Sequence, residues 1–293
     1  MSFIAALPMY DWPETLAGTD MEWQRFRSFF RAAGIDAPET IVRRNADMPP
    51  VPGGVRDESG KAIAPDPATL PPDELDRQTL WRHPSLLLAQ TCWGPMELGL
   101  EEHVHPVGQP SYNGFEGGKG TMYSSAILMR VSPNPPWAEA ARSKAEIFAK
   151  AHPERRGPIR LGVDKPPPED GQPDLPLNLM RGLRFAYNSL DSMSGIIAPT
   201  RDLEAAGESL DALFSERIET GAHRASIVAV AEGRADVCAI DCRSWHMAER
   251  HEPSAEAVQV VGWTGLRKGL PMITSRHTPA EIVEKLIEIL SPP

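Results

Sequence analysis

Leu183-Arg184-Phe185-Ala186-Tyr187, followed by Asn188-Ser189-Leu190-Asp191-Ser192-Met193-Ser194-Gly195, is the stretch that decides the fold. An apolar run of strand length gives way to a polar turn closed by glycine, and then to a helical pattern. That succession marks an α/β unit. It recurs nearby. Thr220-Gly221-Ala222-His223 opens a helix over Arg224 to Glu232 with an apolar Ile227, Val228, Ala231 face, and Val237-Cys238-Ala239-Ile240 ends at Asp241 before a further short helix. These units group into one lobe. Two others group into another: Phe3 to Leu7 leads through Tyr10-Asp11-Trp12 into a helix holding Trp23, Phe26, Phe29 and Phe30, and Leu86-Leu87-Leu88-Ala89 leads through Gln90-Thr91-Cys92 into a short helix.

Ser124 to Val131 and Ala257 to Trp263 read as strands just before and just after the central group, so two crossover strands join the lobes. Residues 1–126 plus 260–293 then form lobe one and 127–259 lobe two. Pro279 to Leu290 carries Ile282, Val283, Leu286, Ile287 and Leu290 at helical spacing and packs back on lobe one. No repeat of fixed period is visible. The 293 residues, 41% hydrophobic, suffice for two cores.

A net charge of −10 with no basic run argues against a nucleic acid partner. No stretch reaches the roughly 18 to 20 consecutive apolar residues of a membrane span, so no membrane insertion is expected. Met1 to Leu7 carries no lysine or arginine and meets Pro8 at once, which reads as a first strand rather than a secretory leader. A cytoplasmic location is the expectation, with a periplasmic one as the alternative if a leader has been removed. Three cysteines, Cys92, Cys238 and Cys242, leave an odd thiol and no disulfide framework. Half of the thirty prolines fall in two clusters, eight at 38–76 and seven at 153–176; both segments lack hydrophobic periodicity and read as surface excursions.

The strand-to-helix turns supply the candidate site residues. A helix N-terminus presents free backbone N–H groups and a positive dipole end, which favours bound anions. Ser192, Ser194 and Gly195 stand at such a turn, two hydroxyls and a glycine that permits close approach; their plainer role is to cap the helix. His223 lies in the first turn of its helix, where the dipole disfavours the imidazolium and leaves a neutral ring able to donate one hydrogen bond; its plainer role is an ordinary exposed histidine. Asp241 closes an apolar strand and should lie at the carboxyl edge of the sheet, where ligands of open α/β sheets collect; its plainer role is an N-cap.

Other motifs carry no chemistry. Asn113 to Thr121 is glycine-rich but fails the phosphate-loop pattern, because a glycine comes after Lys119 and none stands five residues before Gly118, so it is a turn. His103-Val104-His105 and Cys238 with Cys242 are two-ligand signals that do not close a metal site. Cys92 has no histidine adjacent in sequence to serve as its base.

Taken together, Leu88 to Cys92, Tyr112 to Ser125, Asn188 to Gly195, Thr220 to Ser226, Ala239 to Cys242 and Gly269-Leu270-Pro271-Met272-Ile273-Thr274 resemble, in order, the phosphonate-binding (PhnD-like) substrate-binding proteins of ABC transporters. The resemblance covers nearly the whole chain apart from the proline-rich segments. It implies an α/β, two-lobed type II periplasmic-binding-protein fold that encloses its ligand when the lobes close. It also implies ligand contacts from Tyr10, Thr91, Tyr123, Asn188, Ser192, Ser194, Gly195, His223 and Asp241. A carboxylate at Asp241 repels a full dianion and selects a protonated oxygen or a cationic amine on the ligand. The function so implied is binding without turnover: a solute-binding protein of an ABC-type phosphate or phosphonate uptake system, with a permease as possible partner, or a leaderless cytoplasmic relative. No cofactor and no metal are called for. The alternative is an enzyme on the same fold acting on a small anionic metabolite, with Cys92, His223 and Asp241 as nucleophile, acid/base and orienter.

Overall fold

The computed structural model describes residues 3–132 and 164–291. The chain divides into two compact units, Met1–Pro110 with Leu270–Pro293, and Ser111–Gly269.

The first unit runs β1 (Ile4–Ala6), α1 (Leu16–Ala32), β2 (Val55–Arg56), β3 (Ala62–Ala64), α2 (Arg77–Arg82), β4 (Leu86–Gln90), α3 (Trp93–Glu97) and β5 (Val104–Gly108). Its main sheet has the order β1-β4-β14-β5, where β14 (Met272–Ser275) is supplied by the returning chain and leads into α9 (Ala280–Leu290). β1 and β4 are parallel, and β14 runs against both β4 and β5. Every residue of β4 is buried, as expected of a strand covered on both faces. One face packs Leu86 and Ala89 on Leu80, Trp81 and Met96 of the flanking helices; the other packs Leu87 and Leu88 on Trp23, Phe30 and Leu286. The C-terminal helix therefore does pack on this unit. Two of the apolar side chains expected there or in α1 stay out of the core, Ile287 at 44% exposure and Phe29 at 49%.

The second unit runs β6 (Gly118–Lys119), β7 (Met122–Tyr123), β8 (Ser125–Arg130), α4 (Leu177–Met180), β9 (Arg184–Tyr187), α5 (Ala198–Ala205), α6 (Leu210–Leu213), β10 (Glu216–Glu219), α7 (His223–Ala231), β11 (Val237–Asp241), α8 (Cys242–His251), β12 (Val258–Trp263) and β13 (Arg267–Lys268). The main sheet has the order β10-β9-β11-β8-β12, with β10, β9 and β11 parallel. β8 is antiparallel to β11 and to β12. Its core gathers Phe185, Leu203, Leu213, Phe214, Val237 and Val261. The glycine-rich segment is a tight β6–β7 hairpin, in keeping with its reading as a turn.

Two boundaries differ from the sequence reading. The chain passes between the units twice, at 110/111 and 269/270, so residues 111–126 and 260–269 lie with the second unit and not with the first. The reason is the ladder: β8 pairs along its length with β11 and β12, and a unit boundary drawn through residues 126 or 260 would cut it.

The proline-rich segments are also more than excursions. Within 38–76, Ile41, Val42 and Met48 enter the first unit's core. Residues 153–163 of the second segment lie outside the described residues. The stretch from Lys165 to Asp174 is laid along β12: Lys165 N donates to Val260 O at 2.9 Å, and Trp263 and Asp174 bond mutually through their backbones at 2.8 and 3.0 Å. This covers an edge strand that would otherwise present unpaired donors and acceptors.

Candidate functional site

In the second unit, antiparallel β8 sends its N-terminus to the edge where the parallel strands end. Asp241, last in β11, faces Ser125, first in β8, as a direct pair. Ser125 N donates to Thr264 Oγ1 at 2.8 Å, which ties in the residue after β12. Asn188, immediately after β9, belongs to the same edge. This is the carboxyl edge, where open α/β sheets place their ligands.

Ser192 takes extended backbone angles, and its Oγ accepts from Gly195 N at 3.0 Å, a side-chain N-cap. Ile196 N and Ile197 N both donate to Ser192 O, at 3.2 and 3.1 Å, so the first turn, Met193–Ile197, is widened to the π form before α5 begins. Sequence explains the widening. Pro199 has no N–H for the carbonyl four residues back, and its ring crowds that carbonyl. Such turns recur at functional sites. A Cβ on Gly195 would lie 1.9 Å from Asn188 Oδ1 and 3.0 Å from Ser192 Oγ. The glycine's freedom is thus used by the Asn188 side chain, whose Oδ1 is buried without a hydrogen-bond partner among the described residues.

Ser194 is buried, with its Oγ 2.9 Å from His223 Nε2 and 3.5 Å from Ser192 Oγ. His223 is the first residue of α7, and Ala222 before it offers no capping side chain. Gly221, at φ +84°, makes the turn into the helix, and the Thr220 hydroxyl ties it to Tyr187 O at 3.0 Å and Ser226 Oγ at 2.6 Å. Asp241 has two roles at once. Its Oδ1 accepts from Arg243 N at 3.1 Å and Ser244 N at 2.9 Å and caps α8, while its Oδ2 stands 3.5 Å from His223 Nε2. A bare nitrogen there would face a carboxylate, so Nε2 carries the ring proton and lies between an oxyanion and a hydroxyl.

This arrangement is not a hydrolytic relay. A relay puts serine on one imidazole nitrogen and the carboxylate on the other, whereas Ser194 and Asp241 both meet Nε2. The cysteines do not supply a nucleophile to it. Burial pushes the Cys238 thiol up, and burial together with the Asp241 charge pushes the Cys242 thiol well up. Cys92 is a buried residue of the first unit, at the start of α3. Among the described residues no group of three or more histidine, cysteine or acidic side chains is placed to hold a metal.

Of the nine residues expected at the ligand, six are gathered here: Asn188, Ser192, Ser194, Gly195, His223 and Asp241. Tyr123 lies in the same unit, buried, its ring stacked on Tyr112 at 5.3 Å. Tyr10 and Thr91 are buried residues of the first unit, Thr91 directly after β4, its Oγ1 without a hydrogen-bond partner among the described residues. Ser125 and Thr264 were not singled out by sequence. Ser125 Oγ is buried beside Asp241 and has no hydrogen-bond partner among the described residues. The signal available for Ser125 was its place at the start of an apolar run; for Thr264 there was none.

Residues 169–291 match the model of the family described as ABC transporter, phosphonate, periplasmic substrate-binding protein. Those residues, under half of the chain, are similar to that family. The matched segment holds all six gathered residues, and the family it resembles is described as a substrate-binding component of a transporter. No curated protein matches the chain. Among solved structures, the chain is similar to PhnD1 from Prochlorococcus marinus (MIT 9301) in complex with methylphosphonate, at 13% identity and TM-score 0.55, covering 98% of this chain and 82% of that one. It is similar also to XAC2383 from Xanthomonas citri, at 13% identity and TM-score 0.53, covering 99% and 82%. A third is a binding protein component of an ABC phosphonate transporter (PA3383) from Pseudomonas aeruginosa, at 13% identity and TM-score 0.51, covering 98% and 73%. At these identities the likeness establishes the fold: two-lobed, α/β, of the periplasmic-binding-protein kind.

Proposed function

We propose that this chain binds a small phosphorus oxyanion of the phosphonate class at the Ser192–Gly195 turn of its second unit, and delivers it to an ABC-type uptake system. The observation that carries the proposal is the meeting of buried Ser194 and Asp241 on His223 Nε2, at 2.9 and 3.5 Å, at the start of a helix without a side-chain cap. Hydroxyls, a ring N–H and helix-end amides are donors that neutralise an oxyanion without a buried guanidinium. Asp241 gives the preference. At about 4 Å and an effective dielectric near 20, two like charges cost about 4 kcal/mol, so the carboxylate works against a dianion and for an oxygen that still carries its proton. Methylphosphonate, the ligand of the PhnD1 structure, offers such an oxygen and replaces another with a methyl group.

The family is described as periplasmic, which supports a periplasmic rather than a cytoplasmic location for this chain. Among the described residues no helix is long and apolar enough to cross a membrane. A thermal-shift panel tests the ligand class, using phosphate, phosphite, methylphosphonate, an aminoalkylphosphonate, a dicarboxylate and a sugar. A ligand that binds only the folded state raises the melting temperature by mass action. Stabilisation by phosphonates above phosphate is expected; stabilisation by the dicarboxylate or sugar alone ends the proposal.

A further inference from the structure

The first unit contains a cavity of about 300 Å³ onto which three arginines converge from separate stretches of chain: Arg56 in β2, Arg82 at the end of α2, and Arg276 just after β14. His103 and His277 also line it, and Arg276 N donates to His103 O at 3.1 Å. None of the three guanidinium groups is in an ion pair among the described residues. Arg56 Nη1 donates to Gly60 O at 2.7 Å, and Arg82 Nη1 donates to the backbone and side-chain oxygens of Gln78, one turn back. Burial pulls the Arg82 guanidinium below its ordinary value, and the Asp76 charge only partly offsets that desolvation.

Asp57, Glu58 and Glu102 also line the cavity, one carboxylate for each arginine, but none is ion-paired to an arginine among the described residues. Asp57 Oδ1 is taken up by its own turn, accepting from Ser59 N at 2.9 Å, Ser59 Oγ at 2.6 Å and Lys61 N at 3.0 Å. Glu58 and Glu102 line the cavity from exposed positions and make no ion pair among the described residues. In a chain with ten more acidic than basic residues, three arginines around one cavity with no ion pair among the described residues stand against the prevailing charge.

We infer that this cavity is a second anion site, separate from the serine turn, and that it takes a compact phosphoryl polyanion held by paired guanidinium forks. Guanidinium groups match phosphoryl oxygens two at a time, and several of them around one concavity suit a ligand with more charge than a monoanionic phosphonate. The inference does not depend on what the serine turn binds.

Calorimetric titration with inorganic pyrophosphate tests it. The full chain should bind pyrophosphate at low salt, and Arg82→Gln/Arg276→Gln should weaken that binding at least tenfold. Ser192→Ala/Ser194→Ala, and a charge-matched control, Arg25→Gln/Arg234→Gln, should leave it within threefold. Absence of binding to the unaltered chain, or equal loss in the control pair, overturns the site. If the arginine pair impairs folding, phenylglyoxal modification of the unaltered chain decides instead. Pyrophosphate should slow modification of Arg56, Arg82 and Arg276 at least threefold relative to Arg25, and equal rates with and without it refute the inference.

Discussion

Replacing Gly195 by alanine tests the packing of the serine turn at a single atom. The new methyl carbon would stand 1.9 Å from Asn188 Oδ1 and 3.1 Å from Asn188 Cγ. Ordinary contact lies beyond about 3.4 Å, so the amide must withdraw by about 1.5 Å or the turn must open. Overpacking of this kind costs about 1–3 kcal/mol. Alanine recovers about 1 kcal/mol over glycine in a helix, leaving a net loss of up to about 2 kcal/mol, or a few degrees of melting temperature. The double-mutant cycle with Asn188→Ala isolates the cause. With the amide gone, Gly195→Ala should be neutral or stabilising, so thermal or urea unfolding of the four variants should give a coupling of at least about 1 kcal/mol. Equal destabilisation in both backgrounds would refute the idea that Asn188 fills the space above the glycine.

Asp241→Asn keeps an oxygen for the α8 cap, so stability should fall by less than about 1 kcal/mol, while the charge beside His223 is lost. Phosphate dianion should gain on monoanionic methylphosphonate by about tenfold or more in relative affinity, measured by titration across pH; an unchanged ratio contradicts the electrostatic role. His83 is buried, its Nε2 3.0 Å from Pro49 O and its Nδ1 accepting from Ser85 N at 3.1 Å, and desolvation, partly offset by that carbonyl and by Asp66, holds its pKa below the ordinary value. The unfolded chain then binds the proton first, so stability is full above about pH 6.5 and falls as pH drops toward the depressed folded value, by up to about 1.4 kcal/mol per pH unit. His83→Gln should flatten that part of the melting-temperature profile, and a profile unaltered there argues against it. Arg267 holds buried Asp202 through both oxygens, and Gly265 N donates to its Oδ2 at 2.9 Å. Arg267→Met should cost about 2–4 kcal/mol by leaving that carboxylate poorly paired; Asp202→Asn in the same background should restore part of the loss.

Much of the architecture was legible in the chain itself. Leu86 to Gln90 is a nearly unbroken apolar run and became a strand buried on both faces; Ser192 three residues ahead of Gly195 announced a cap, and a cap is what it makes. Asp241 showed both of its possible roles, and one oxygen serves each. The unit boundaries escaped because Ser125–Arg130 and Val258–Trp263 look alike whether they cross between units or pair within one, and only the ladder to β11 tells the two apart. Asn188 over Gly195 was hidden for a similar reason: seven residues separate them, and only the widened turn before Pro199 brings the amide onto the glycine. Neither could local spacing gather Arg56, Arg82 and Arg276, which meet only through the folding of the first unit.

The most direct test of the account is calorimetric titration of methylphosphonate into the unaltered chain and into Ser192→Ala/Ser194→Ala. The account predicts one bound methylphosphonate per chain, and a loss of at least a hundredfold in affinity when both hydroxyls are removed from a still-folded protein. Undiminished binding by the double variant would contradict it.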